Sequence, residues 1–167
     1  MKIGILSDTH SFLHPELFTF FAPCDEIWHC GDIGRKETFI QLQNFKPLRA
    51  VHGNIDGAEI RSQCKENEIF YLNETKVLMT HIGGYPNKYN PRALRLIHIH
   101  QPSIFVCGHS HILRIKYDQT HHLLYINPGA AGREGFHSYI TFLRFDFIQH
   151  MPENLEVFET ERRISES

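Results

Sequence analysis

Five short apolar runs in this chain each stop at a cluster of polar residues rich in aspartate and histidine. The runs occupy residues 2–7, 26–29, 48–51, 76–80 and 103–107. Apolar runs of this length, bounded by glycine and polar residues, are typical of buried strands. The segments 15–21 and 35–45, which separate the first three runs, have the apolar spacing of helices. The order strand, helix, strand, helix, strand therefore predicts a parallel sheet of the α/β class.

The rest of the chain predicts further strands and one more helix. The predicted elements are a hairpin of strands 69–72 and 76–80, a helix at 91–100, a hairpin of strands 112–117 and 123–126, a strand at 138–145 and an edge strand at 155–158. Residues 160–167 are polar, and we expect this tail to fray.

The composition indicates one globular domain that spans residues 1–167. The chain is 41% hydrophobic and 22% charged, and a domain of this size can bury roughly 70% of its unfolded surface. The formal net charge of −2 weighs against a nucleic-acid groove. No apolar run approaches the length of a membrane span, so no membrane partner is expected.

The four cysteines, Cys24, Cys30, Cys64 and Cys107, match no zinc-binding spacing. The chain passes from Met1 straight into a predicted strand, without the architecture of a signal peptide. We therefore expect free thiols and a cytoplasmic location.

The polar clusters after the five runs supply seven side chains of metal-binding type. No cluster is specific alone, because chance gives Gly-His-x-His about 0.07 times and Asp-x-His about 0.5 times. Together the clusters are specific, since their combined expectation is below about 0.01. Ligands in open α/β sheets bind at the carboxyl ends of strands, so five strands can bring these side chains to one crevice. The candidates are Asp8, His10, Asp32, Asn54, His81, His109 and His111.

Each cluster also has a purely structural explanation. Asp8 and Asp32 could cap loops or helices, because aspartate favours turns. Asn54 could belong to a turn, and His81, which stands alone, could be a buried histidine at a strand end. The occurrence of all the clusters in one chain favours metal binding over these alternatives.

The chemistry of this set suits two divalent ions. Imidazole and carboxylate ligands without thiolate favour Mn, Fe, Zn, Co or Ni. Seven ligands are too many for one ion and fit two ions that share a carboxylate, for which Asp32 is the best candidate. Two such ions acidify a bridging water to hydroxide, which can attack phosphorus, so the set predicts hydrolysis of phosphate esters.

The succession Asp-x-His, Gly-Asp, Gly-Asn, a lone His and Gly-His-x-His resembles the calcineurin-like metallophosphoesterase superfamily. The chain length and the Asn127-Pro128-Gly129 turn resemble its small YfcE-like phosphodiesterase branch. The resemblance implies a four-layer α/β/β/α sandwich of mixed sheets and a centre of two divalent ions, often Mn²⁺. It also implies two ligand sets that share one residue: Asp8, His10, Asp32 and His111 for one ion, and Asp32, Asn54, His81 and His109 for the other.

The sequence departs from the superfamily pattern at Ile55. Larger members have Gly-Asn-His-Asp or Gly-Asn-His-Glu, and that histidine is thought to protonate the leaving group, whereas residues 53–56 here are Gly-Asn-Ile-Asp. Isoleucine cannot donate a proton, and general acid catalysis is worth roughly 10²- to 10⁴-fold. We therefore expect weak catalysis on poor leaving groups. Asp56, His14 and water are other possible donors; His52 is expected to point to the other face of its strand.

The expected function is phosphodiester hydrolysis of a small phosphate ester, with Asp32, Asn54 and His109 in catalytic positions. The compact chain has no long insertion, so we expect open substrate access. Alternatives within the enzyme class are a dinucleotide polyphosphate hydrolase and a nuclease, which a basic strip beside the site would favour. A catalytically weak scaffold is the alternative from another class, because a eukaryotic retromer subunit of this branch is an interaction module. The complete ligand set favours the enzyme, and a homo-oligomer stays open.

Overall fold

Strands and helices alternate along the first part of the chain, and strands dominate the rest. The computed structural model describes residues 1–162. Its helices are α1 (Glu16–Phe21), α2 (Lys36–Phe45), α3 (Ala58–Arg61) and α4 (Pro91–His100). Its strands are β1 (Lys2–Leu6), β2 (Glu26–His29), β3 (Leu48–Ala50), β4 (Asn67–Leu72), β5 (Thr75–Thr80), β6 (Gly84–Tyr85), β7 (Lys88–Tyr89), β8 (Ile104–Val106), β9 (Leu113–Asp118), β10 (Leu123–Pro128), β11 (Tyr139–Ile148) and β12 (Met151–Glu161).

Two five-stranded mixed sheets contain these strands, apart from a small ribbon of β6 and β7. The first sheet has the order β12-β11-β1-β2-β3, and the second has the order β4-β5-β8-β10-β9. The strands β1, β2 and β3 are parallel, and so are β5, β8 and β10. The remaining strands pair antiparallel at the flanks. Each sheet therefore has parallel strands whose carboxyl ends lie at one edge.

The central strands of both sheets are buried on both faces, which explains the continuous apolar runs. In β1, Ile3 and Ile5 contribute to the core between the sheets, whereas Leu6 packs with residues of α1 and α2. In β5, Met79 belongs to the same inter-sheet core, whereas Leu78 packs with residues of α4. The layers are thus α1 and α2, the first sheet, the second sheet, and α4. This arrangement confirms the predicted four-layer α/β/β/α sandwich.

Helix α4 shows how the sequence positions one wall of the later site. The side chain of Asn90 accepts a hydrogen bond from the backbone N–H of Arg92 and caps the helix. Pro91 follows at the first helical position, where an N–H is not needed. Ala93 and Ile97 are buried against the second sheet. The first turns of α4 therefore lie beside the end of β5.

The end of the chain differs from its prediction. Strand β12 pairs with β11 as far as Glu161, which faces Tyr139. Thr160 and Glu161 thus belong to the sheet, where the sequence predicted a fraying tail, and residues 163–167 lie outside the described part. The predicted strand, residues 155–158, was too short. Because β12 is an edge strand rich in exposed glutamates, its sequence shows no alternation of apolar and polar residues. Helix α3 and the ribbon of β6 and β7 are too short to show the apolar periodicity from which a helix or a strand is predicted.

The four cysteines are buried and not joined in disulfides. Burial raises the pKa of Cys24 to about 11 and that of Cys64 to about 12, so these thiols stay protonated and unreactive. Within residues 1–162, no helix is both long and apolar enough to cross a membrane.

Candidate metal centre

All seven candidate side chains lie where the carboxyl ends of the parallel strands meet. The loops after β1, β2 and β3 of the first sheet and after β5 and β8 of the second sheet supply them. Six of them form a first cluster of Asp8, His10 and His111 and a second cluster of Asp32, His81 and His109, each with its potential ligand atoms within 4.8 Å of one another. Asn54 joins the second cluster, because its Oδ1 lies 3.0 Å from Nε2 of His81. Each cluster combines residues from both sheets.

Asp32 lies between the two clusters. Its Oδ2 is 3.5 Å from Nε2 of His10, in the first cluster, and its Oδ1 is 3.3 Å from Nε2 of His81, in the second. The backbone N–H of Ile55 donates to the same Oδ1 at 3.0 Å. A carboxylate held in this way can present one oxygen to each cluster.

The backbone that carries these side chains has an unusual conformation. Five of the seven candidates have φ values between 44° and 67°, namely Asp8, His10, Asp32, His109 and His111. This left-handed region is uncommon for residues other than glycine and costs of the order of 1–3 kcal/mol each time. Its concentration at one place indicates that function constrains the loops.

Two glycines make room for the buried carboxylates. A Cβ atom on Gly53 would overlap Oδ1 of Asp32, and one on Gly108 would lie 2.8 Å from Oδ2 of Asp8. In each case the glycine stands directly before a candidate ligand and packs against a carboxylate from another loop. The Gly-Asn and Gly-His pairs of the sequence therefore reflect close packing between loops.

Asp8 and Asp32 are buried, and histidines compensate their charge. Burial alone would raise the pKa of Asp8, but the hydrogen bond to His111 and the nearby His81 outweigh it, so the pKa is lowered. Burial also opposes the ionisation of Asp32, and the hydrogen bond to His81 lowers its pKa in turn. The pKa of His81 is raised against the effect of burial, chiefly by Asp32. Both carboxylates thus stay ionised and need positive charge beside them.

Nε2 of His81 faces two oxygen atoms. Its Nδ1 lies 2.7 Å from the carbonyl oxygen of Cys30, and because a carbonyl only accepts, Nδ1 carries the proton. In the neutral ring, Nε2 then has only a lone pair, although it faces Oδ1 of Asn54 and Oδ1 of Asp32. Acceptors that face acceptors repel each other, so this position requires a metal cation or a second proton on the ring.

His137 orients His111 in the same way, and the sequence analysis did not single it out. Its Nε2 donates to the carbonyl oxygen of Gly132 at 2.9 Å, so in the neutral ring its Nδ1 is an acceptor. Nδ1 of His111 lies 3.0 Å away and must donate. In the neutral ring of His111, Nε2 therefore has only a lone pair, although it lies 3.1 Å from Oδ1 of Asp8. No motif could have revealed His137, because its role appears only in the contact with His111.

The donor set fits divalent metal ions. Nε2 of His10 is buried and has no hydrogen-bond partner within residues 1–162, which is rare for a ring nitrogen unless an ion takes the position. Imidazole nitrogens, carboxylate oxygens and one amide oxygen are the ligands that Mn²⁺, Fe²⁺ and Zn²⁺ accept.

A buried histidine also joins the loops beneath the clusters. Nδ1 of His29 accepts from the backbone N–H of Gly31, and its Nε2 lies 2.9 Å from Oγ1 of Thr9. Thr9 in turn donates to the carbonyl oxygen of Ile33 at 3.0 Å. Full burial lowers the pKa of His29 to about 4, so the ring is neutral and connects the loop after β1 with the loop after β2.

Asp56 and His14, which the sequence suggested as proton donors, accept hydrogen bonds from backbone N–H groups instead. Both carboxylate oxygens of Asp56 accept backbone N–H groups, from Gly34 at 2.8 Å and from Gly53 at 2.7 Å, so Asp56 shapes its loop. Nδ1 of His14 accepts a backbone N–H at the start of α1. His52 borders the cleft beside the second cluster, and the expectation that it points to the other face of its strand stays a prediction.

Comparison with known proteins places this geometry in a family. A family model described as calcineurin-like phosphoesterase superfamily domain matches residues 1–150. A probable metallophosphoesterase of Methanocaldococcus jannaschii is 30% identical over 136 residues, which cover 78% of this chain and 68% of that protein. A solved archaeal phosphodiesterase superposes with a TM-score of 0.74 at 22% identity, over 96% of this chain and 99% of the other. Vps29 of Chaetomium thermophilum gives 0.75 at 13% identity, over 98% and 100%. At these identities the two structures show the shared fold.

Gly53→Ala should displace the carboxylate of Asp32, because the added Cβ overlaps Oδ1. We expect a loss of about 1–3 kcal/mol in the free energy of unfolding, as for other overpacked sites. Gly57→Ala is the matched control, since a Cβ there meets nothing within 4 Å and φ is −84°. Urea denaturation measures both variants, and wild-type stability in Gly53→Ala would contradict the close packing.

His29 should make the metal-free fold sensitive to acid. Its pKa rises from about 4 in the folded chain to about 6.5 in the unfolded chain, so unfolding takes up a proton. The contribution is complete above pH 6.5 and declines by up to about 3 kcal/mol as the pH falls to 4. Urea denaturation of EDTA-treated protein across this range measures it. His29→Gln should flatten the slope, and an unchanged slope would refute the assignment.

Proposed function

The chain belongs to the calcineurin-like phosphoesterase superfamily, and from this membership we propose that it is a phosphodiesterase that uses two divalent metal ions, foremost Mn²⁺, with Fe, Zn, Ni or Co as alternatives. The observation that carries the proposal is the pair of Nε2 atoms, on His81 and His111, that face carboxylate oxygens while Nδ1 of the same ring contacts another residue. Where these rings are neutral, Nε2 offers a lone pair that a divalent ion could accept together with the neighbouring carboxylate oxygen. The solved archaeal phosphodiesterase with the same fold agrees with this proposal.

The two clusters suggest how the ligands divide. Asp32 would serve both ions, because its two oxygens face different clusters. Asn54 would complete the second set with a neutral oxygen, which limits the negative charge there. The proposed sets are Asp8, His10, Asp32 and His111 for one ion, and Asp32, Asn54, His81 and His109 for the other.

The protein's part in catalysis is to hold these groups rigidly. Bound divalent ions supply Lewis acidity, which makes a water nucleophilic near neutral pH and offsets charge on the phosphate. Cys30 and His137 keep the rings of His81 and His111 in the tautomers that expose Nε2. Ile55 offers only its backbone N–H, to Asp32. The leaving group therefore departs without a proton from this residue, which favours substrates with acidic leaving groups.

The surroundings of the centre agree with a small phosphate ester as substrate. The cleft beside Asn54 and His81 is open to solvent, which agrees with the open substrate access expected from the sequence. We also propose a cytoplasmic location, because buried cysteines without disulfides suit a reducing compartment.

Purified protein should hydrolyse an activated aryl phosphodiester only with Mn²⁺ or a similar ion. Asp32→Asn and His109→Ala should each lower kcat/KM at least about 100-fold, because each removes a ligand. His98→Ala, on the exposed side of α4, is the control and should keep the wild-type rate. Equal values of kcat/KM in the wild type and all three variants would contradict the metal mechanism. A folded, metal-binding chain without hydrolysis would favour the scaffold alternative.

His137→Ala should weaken metal binding by about 10- to 100-fold, because the ring of His111 loses the acceptor that sets its tautomer. Calorimetric titration with Mn²⁺ measures the affinity. His137→Asn should recover part of it, since its side-chain oxygen can accept from Nδ1 of His111. Thermal melting of the metal-free variants separates this effect from a loss of folding. Wild-type affinity in His137→Ala would refute the positioning role.

A further inference from the structure

A cleft of about 720 Å³ opens beside the second cluster, at Asn54 and His81. Its walls come from the loop after β3 with α3, the start of β4, the end of β5 and the first turns of α4. The volume lies in the range of small-molecule sites, about 300–1,000 Å³. A substrate held at the metal centre can thus extend a second group into this cleft.

The cleft is positively charged, although the whole chain carries a net charge of −2. Three arginines line it, Arg61, Arg92 and Arg95, and Glu66 is the acidic residue among the lining side chains. Arginine binds phosphate better than other side chains, because its planar group offers several N–H donors at once. The charge therefore favours an anionic group, and foremost a phosphate.

The position of Arg61 is tied to the metal centre. Its Nε donates to the carbonyl oxygen of Asp56 at 2.6 Å, and its Nη2 donates to that of Gly53 at 3.0 Å. Both acceptors belong to the loop that carries Asn54. The guanidinium is thus held at the cleft wall, with N–H donors left over for a ligand.

Arg92 and Arg95, both exposed on α4, add positive charge to the cleft. They stand three residues apart and so share one side of the helix. Nη1 of Arg92 lies 3.7 Å from Glu66, but both side chains are mostly exposed, and such a pair is weak. The amino-terminal end of α4, from which both project, adds a partial positive charge.

The leaving group is the second constraint on the substrate. Ile55 cannot donate a proton, and Asp56 is occupied by backbone N–H groups. An alkoxide would therefore depend for its proton on water or on His52, which borders the cleft. A phosphate group, with a second pKa near 6, departs as an anion without help, and an arginine cleft stabilises that anion.

On the basis of the proposed function, we infer that the substrate is a small phosphoanhydride whose leaving phosphate binds in the arginine cleft. One water is consumed: its oxygen forms the new bond to the attacked phosphorus, and the P–O bond to the bridging oxygen breaks. The bridging oxygen leaves with its electron pair on the second phosphate, and the protons of water pass to solvent. No electron is transferred. The limited size of the cleft favours a small molecule over a nucleic acid.

The test compares three substrates with Mn²⁺: diadenosine tetraphosphate, an aryl phosphodiester with one phosphate, and a single-stranded oligonucleotide. The double variant Arg92→Ala/Arg95→Ala should lose about 10- to 100-fold in kcat/KM on the anhydride, at least tenfold more than on the aryl diester. Lys116→Ala, on β9 away from the cleft, removes one charge and should leave both rates unchanged. Arg61 stays intact, because its hydrogen bonds hold the loop.

Binding without turnover gives a second measurement. Calorimetry with ADP and EDTA-treated protein should show an affinity at least tenfold weaker in the double variant than in wild type. Equal losses on both substrates, no loss on either, or a preference for the oligonucleotide would overturn the inference. Hydrolysis of the aryl diester without hydrolysis of the anhydride would overturn it and leave the proposed function intact. No hydrolysis of any substrate would overturn both.

Discussion

Two carboxylates, Asp8 and Asp32, are buried where the two sheets meet, and the rest of the centre follows from the need to stabilise their charge. A buried ion costs several kcal/mol unless opposite charge and hydrogen bonds offset the loss of water. Backbone N–H groups from His109 and Ile55 supply part of this compensation. The remainder comes from His81 and His111, whose Nε2 atoms face the same carboxylates and either carry a second proton or would share a metal cation with them.

The fold stabilises this charge by delivering each group from the end of a parallel strand. Strand ends fix where a loop starts, and the left-handed residues fix how sharply it turns back over the sheet. Gly53 allows one loop to pass directly over Asp32. His29, through its two ring nitrogens, and Asp56, which accepts backbone N–H groups with both carboxylate oxygens, join neighbouring loops below the clusters. The candidate ligands are thus held in place before any ion is present, so little would have to move for an ion to bind.

Much of this could be predicted from the sequence, because apolar runs and the polar residues after them are local patterns. The parallel order of the first three strands, both hairpins and the meeting of the polar clusters in one crevice follow from such patterns. The grouping of Asp8 with His111 was implied only by the resemblance to a family. His137 and His29 could not be found, since their roles depend on contacts between distant segments. The left-handed conformation of Asp32 has no signature either, because aspartate is common in ordinary turns. Strand β12 was underestimated because pairing with β11, rather than its own apolar content, holds it.

The mixed origin of the two clusters has a consequence for the integrity of the molecule. Each cluster combines residues from both sheets. An ion bound in either cluster would therefore hold the two sheets of the sandwich together. Pulling the sheets apart would then require release of the metal. By mass action, an ion at 100 times its dissociation constant adds about 2.7 kcal/mol to the free energy of unfolding. The concentration of available metal would thus affect the fraction of the protein that is folded, as well as the catalytic rate.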